Sequence, residues 1–164
     1  SITIDAHKML QAPYGTGVFI CRKGLIENVL TKEAEYVEGM DLTLCGSRSG
    51  SNAVAVWMIL FTYGPFRWCE KIRVLQMRTE WLCEQLDALD VKYFREPFMN
   101  IATIQAEYIT SELVKKFDLV PQKHDENNQW YKIVIIDHVE IDHLITFITD
   151  LKTTIQEKNK TVQV

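Results

Sequence analysis

Two short segments of the chain hold side chains that could do chemistry. Asp5-Ala6-His7-Lys8 places a lysine beside an imidazole. It lies just past Ser1 to Asp5, whose polar–apolar alternation reads as a short strand. Ligands of α/β folds bind at the carboxyl ends of strands, where an amine is well sited to form a Schiff base. An amine bonded to an aldehyde cofactor gives carbanion chemistry an electron sink that no natural side chain supplies. A plain surface lysine could carry the same neighbours, because short motifs match by accident. The second segment is Gly46-Ser47-Arg48-Ser49-Gly50-Ser51. Its glycines permit close backbone approach, its hydroxyls and Arg48 donate hydrogen bonds, and a helix starting behind it adds partial positive charge. Those are the parts of a phosphate cradle. They are also the parts of a turn with a helix cap, which is what such a segment more often is.

The elements that must position these residues follow from the patterning. A loop with Pro13, Gly15 and Gly17 leads into Val18-Phe19-Ile20-Cys21, a continuous apolar run typical of a buried strand. Arg22-Lys23-Gly24 makes a turn, and 25–45 is mixed, with acidic Glu33, Glu35 and Glu38. Ser51 or Asn52 is a natural N-cap. Ala53 to Tyr63 is apolar nearly all round, which predicts a buried helix. Gly64-Pro65 breaks or kinks it. A second helix follows from about Phe66 to Leu89, with Trp68, Ile72, Leu75, Leu82, Leu86 and Leu89 along one stripe. The remainder reads as a small α+β unit. Val91–Phe94, Ile101–Ile104 and Tyr131–Ile136 are its strands, Ser111–Phe117 and Ile141–Ile155 its helices, and Gln122–Gln129 a polar loop.

Composition narrows the class. The chain has 164 residues, 47% hydrophobic and 24% charged, with a net charge of −4. It can bury a sizeable core without disulfides or metals. The acidic balance argues against general nucleic-acid binding, and no apolar run approaches a membrane span. Cys21, Cys45, Cys69 and Cys83 show no C-x-x-C spacing, so they are expected to be reduced core thiols of a cytoplasmic protein. Ser1 opens directly into a strand pattern, which suggests the C-terminal part of something longer.

Read together, the motifs carry more than either alone. Ser1-Ile-Thr-Ile-Asp-Ala-His-Lys-Met9, Gly15-Thr16-Gly17-Val18-Phe19 and Thr43-Leu44-Cys45-Gly46-Ser47-Arg48-Ser49-Gly50 resemble the pyridoxal-phosphate-dependent group II amino-acid decarboxylases. The likeness is nearest to the tyrosine and aspartate decarboxylases of that family. Trp130-Tyr131-Lys132-Ile133-Val134 leading to His138-Val139 is similar to the family's C-terminal strand and helix. The resemblance implies an α/β fold of the aspartate-aminotransferase type (fold type I) with a small α+β C-terminal domain. Residues 1–50 would end the large cofactor domain, 51–89 would be linking helices, and 90–164 the small domain. It implies that Lys8 holds pyridoxal 5'-phosphate through its amine, with His7 and Asp5 beside the phosphate and the amine. Gly46 and Ser47 would reach the phosphate of a neighbouring subunit, as the family's dimers share their sites. Arg48 would anchor that loop. Tyr36 falls where the family carries a loop tyrosine that protonates the substrate carbon. The implied reaction converts an L-amino acid, tyrosine or another aromatic, to its amine and carbon dioxide.

Departures and rivals stand beside that reading. The family's aspartate for the pyridinium nitrogen, and the group that stacks on the ring, would precede Ser1, so these 164 residues alone should be inactive. Another group II decarboxylase (of histidine, aspartate, serine or diaminobutyrate), a related lyase or transaminase, and a non-catalytic dimerisation module are the alternatives. His138 and His143 are five apart and do not share a helical face, so no metal is assigned. His124 reads as solvated in the polar loop. Trp57, Trp68 and Trp81 with Met58 and Met77 read as core or dimer packing.

Overall fold

A computed structural model of the chain describes residues 1–29, 48–121 and 130–162. Tyr36, Cys45, Gly46, Ser47, His124 and the segment 122–129 lie outside them. The chain divides into two compact units, Ser1–Arg67 and Trp68–Val164.

In the first unit, β1 (Ile2–Ile4) pairs antiparallel with β2 (Val18–Ile20), setting Ile2 opposite Ile20 and Ile4 opposite Val18. The sequence pattern found both strands. Its expectation that Val18–Cys21 is buried does not hold, since Phe19 and Ile20 are more than half exposed. A two-stranded ladder among the described residues is too small to bury much of its own surface. Burial instead concentrates in the connection between them, where Ala6, Ala12 and Thr16 are inaccessible to solvent or nearly so.

Helix α1 runs from Gly50 to Ala88 and is interrupted at Gly64, whose φ of 64° and ψ of 175° are not helical. Pro65 explains the break: it has no N–H to donate, and it drives the preceding residue out of the helical region. Only glycine takes that positive φ without strain. The segment before the kink corrects another expectation. Ala53–Tyr63 is helical but not buried, with Val54, Trp57, Met58 and Phe61 all more than half exposed. Trp57 and Phe61 stack on each other, ring centroids 5.2 Å apart.

The second unit is a four-stranded antiparallel sheet with helices. Its strands are β3 (Tyr93–Phe94), β4 (Ile101–Gln105), β5 (Val120–Pro121) and β6 (Trp130–Val134), in the order β3-β4-β6-β5. Helix α2 (Ser111–Phe117) packs on α3 (Ile141–Val162), with Phe117 edge-on to Phe147. Thr110 caps α2 by accepting from the Leu113 N–H, and Asp118 ends it in the left-handed region. The core is formed by Leu75, Leu82 and Leu86 of α1 with Ile104, Ile135, Phe147 and Leu151. Arg78 fastens the β6–α3 connection, its Nη1 donating to the carbonyls of Asp137 at 3.2 Å and Val139 at 3.0 Å. No helix of the described residues is long and apolar enough to cross a membrane.

Candidate functional site

Lys8 lies four residues past β1, on a turn that the backbone itself builds. The Lys8 N–H donates to the Asp5 carbonyl at 3.0 Å, and the Gln11 N–H to the Lys8 carbonyl at 3.1 Å. The Ala12 N–H closes the larger loop onto the Ala6 carbonyl at 3.0 Å. Ala6, fully buried between Asp5 and His7, pins the turn from below while its neighbours reach outward. Lys8 Nζ stands 2.9 Å from Asp5 Oδ2, and both side chains are exposed. Hydrogen bonding and charge from Lys8 hold the Asp5 carboxyl below its ordinary value, with a lesser contribution from His7.

His7 is half-buried. Its Nδ1 lies 3.3 Å from the Thr16 carbonyl, and its ring meets that of Tyr14 at 5.0 Å between centroids. Thr16 is buried and its hydroxyl donates to the Pro13 carbonyl at 2.8 Å. Asn52, in the first turn of α1, donates from Nδ2 to the Tyr14 carbonyl at 3.4 Å. The helix therefore begins at Gly50, before either residue expected to cap it. Asn52 is turned toward the lysine loop, and the Ser49 and Ser51 hydroxyls bond to each other at 2.6 Å. Arg48 is exposed at the start of this region.

Of the residues singled out from sequence, the structure brings Asp5, His7 and Lys8 into one turn. Gly46, Ser47 and Tyr36 lie outside the described residues. Sequence reasoning missed Tyr14, Thr16 and Asn52. Thr16 stands out only as a polar residue between two glycines, and nothing in local spacing joins Asn52 to a residue 38 positions earlier. Among the described residues no group of histidine, cysteine and carboxylate side chains could hold a metal ion. His138 and His143 instead line a cavity of about 410 Å³ in the second unit, with Lys132 and Phe147. Of the described cysteines Cys83 is a core thiol, Cys21 is half-buried and Cys69 is exposed.

The site can present one primary amine, paired to a carboxylate and open to solvent, beside an imidazole of fixed orientation. That donor set fits an aldehyde-bearing anionic cofactor, because the amine is accessible.

The fold is that of fold-type-I enzymes. Sphingosine-1-phosphate lyase of Burkholderia pseudomallei superposes with a TM-score of 0.72 over 94% of this chain and 37% of that one, at 15% identity. L-Methionine decarboxylase of Streptomyces, solved in its internal aldimine form, superposes with a TM-score of 0.60 over 75% of this chain and 26% of that one, at 22% identity. By sequence the chain is similar to amino-acid decarboxylases. Tryptophan decarboxylase of Clostridium sporogenes is 57% identical over 152 residues, 93% of this chain and 36% of that protein. L-Aspartate decarboxylase of Thermococcus kodakarensis is 30% identical over 156 residues, 93% of this chain and 40% of that protein. The chain thus spans little more than a third of the length of these curated relatives. No family model matches it.

Proposed function

We propose that the protein decarboxylates an aromatic L-amino acid to the corresponding amine, using pyridoxal 5'-phosphate. The observation that carries the reading is the Asp5-His7-Lys8 turn, with its amine exposed, in a chain so similar to a tryptophan decarboxylase over nearly all its residues. That similarity moves the preferred substrate from tyrosine to tryptophan within the aromatic class.

Pyridoxal phosphate, when bound, supplies the electron sink that lets a Cα–carboxylate bond break. The chain's own residues do the rest. Lys8 would hold the cofactor through its amine. Asp5 keeps that amine oriented in the turn. His7 would stand beside the phosphate, and Gly46 and Ser47 would reach the phosphate of a neighbouring subunit. Tyr36 would return a proton to the substrate carbon. The domain limits follow the same reading, with 1–50 ending the cofactor domain, 51–89 linking, and 90–164 forming the small domain. Cytoplasmic location suits the free thiols of Cys21, Cys69 and Cys83.

A homodimer with shared sites is part of the proposal, and the uncovered face of α1 supports it. Among the described residues Phe61 is 76% exposed and Phe66 85% exposed, aromatic surface that favours a partner over water. The same face supports a second reading, in which the module associates without catalysing. Product analysis separates them. The protein from its complete reading frame, supplied with pyridoxal phosphate and L-tryptophan, is expected to release tryptamine and carbon dioxide in equal amounts. A keto acid would instead make it a transaminase. No product from tryptophan, tyrosine or aspartate would leave the association module standing.

A further inference from the structure

We infer that Thr16 and Asn52 are positioning residues for His7, and through it for the cofactor assigned to Lys8; the inference rests on the function proposed above. The Thr16 carbonyl lies 3.3 Å from His7 Nδ1. A carbonyl can only accept, so Nδ1 carries a proton in this contact. Thr16 is in turn held in place: it is buried, and its hydroxyl donates to the Pro13 carbonyl. The other side of the imidazole meets the Tyr14 ring, and the Tyr14 carbonyl accepts from Asn52 on α1. The 13–16 turn thus grips His7 twice, and the helix behind the Gly-Ser-Arg segment grips the turn.

This fixes which nitrogen is left for chemistry. With Nδ1 committed to Thr16, Nε2 is the nitrogen available to another partner. A phosphate oxygen accepts just as a carbonyl does. A ring serving both must donate from both nitrogens, so His7 is the imidazolium when it faces the cofactor phosphate. Among the described residues, Asp5 interacts electrostatically with His7 and the Tyr14 ring lies against it, both on its own loop. From α1 comes Asn52, which is neutral. Without the grip of the turn, the ring is free to exchange its two nitrogens, and the donor toward phosphate is no longer guaranteed.

The test uses protein from the complete reading frame, labelled with nitrogen-15 in histidine, with and without pyridoxal phosphate. His7 is expected to show a protonated Nδ1 without cofactor and two protonated nitrogens with it. Thr16→Val and Asn52→Ala should each weaken pyridoxal phosphate about five- to tenfold, the loss of one orienting hydrogen bond. They should also give His7 a mixture of tautomers while circular dichroism stays unchanged. Thr16→Ser, which keeps the hydroxyl, should restore both readouts to within about twofold of wild type. Should Thr16→Val not fold, Asn52→Ala decides, because its side chain lies at the surface of the first turn. Borohydride reduction of the wild-type holoprotein separates the two levels. No adduct at Lys8 defeats the proposed function itself. An adduct at Lys8 with His7 tautomer and cofactor affinity unchanged in both variants overturns the positioning role alone.

Discussion

Replacing Phe61 with serine should leave the fold nearly intact and break the subunit association proposed above. An aromatic side chain offers about 200 Å² of surface. With Phe61 76% exposed, about 50 Å² is buried within its own unit and about 150 Å² faces water. At about 25 cal/mol per Å², the fold of the isolated subunit loses only about 1 kcal/mol. Seating the exposed part against a partner would contribute about 4 kcal/mol per copy, so its removal weakens association by about a thousandfold or more. The ring also stacks on Trp57, which loses its neighbour in the variant. The assay is a light-scattering mass across a dilution series, paired with urea unfolding of the same samples. The expected result is half the wild-type mass at low micromolar concentration, with the unfolding midpoint of the subunit little changed. A Phe61→Ser protein that keeps the wild-type mass at every dilution refutes the assignment of this face to the dimer.

Other predictions concern single residues. Leu82→Ala, at a fully buried position, should cost roughly 2–5 kcal/mol in denaturant unfolding, far more than Phe61→Ser does. Arg78→Ala removes a charged donor shared by two carbonyls and should cost about 2–4 kcal/mol, with a matching rise in amide exchange at 137–139. Asp5 should titrate below its ordinary 3.8 by carbon-detected NMR and return toward it in Lys8→Ala. Because that carboxyl is depressed in the folded state, whatever its pairing with Lys8 contributes is present above 3.8 and lost as the pH falls through the lowered value. Tyr93 is pushed up to about 12, first by burial, then by Cys83 and by Asp87, to which its hydroxyl donates. Its absorbance titration should therefore lag that of an unfolded tyrosine, and stability should fall between about pH 10 and 12, where the unfolded chain gives up the proton first.

Local patterning made the secondary structure legible where a short stretch decides it. Ser111–Phe117 carries its own cap and its own left-handed stop, and it appears with the limits read from sequence. The break at Gly64-Pro65 is equally local. Burial was misread where it depends on what lies opposite. The apolar runs at Val18–Cys21 and Ala53–Tyr63 satisfy every local rule for core, yet among the described residues they stay largely exposed. Hydrophobicity says that a surface wants to leave water, and it does not say which surface it leaves water against. The site divides in the same way. Asp5, His7 and Lys8 are neighbours in sequence, so their meeting in one turn could be read directly. Thr16 and Asn52 act through backbone carbonyls, which carry no sequence signature, and the second of them spans 38 residues.

The most direct test of the account is the fate of one amine. Protein from the complete reading frame, loaded with pyridoxal phosphate, reduced with borohydride and digested, should yield a pyridoxyl adduct on the peptide containing Lys8. Lys8→Ala should yield none. An adduct at another lysine, or no adduct in the wild-type protein, contradicts the reading of the Asp5-His7-Lys8 turn as the cofactor site.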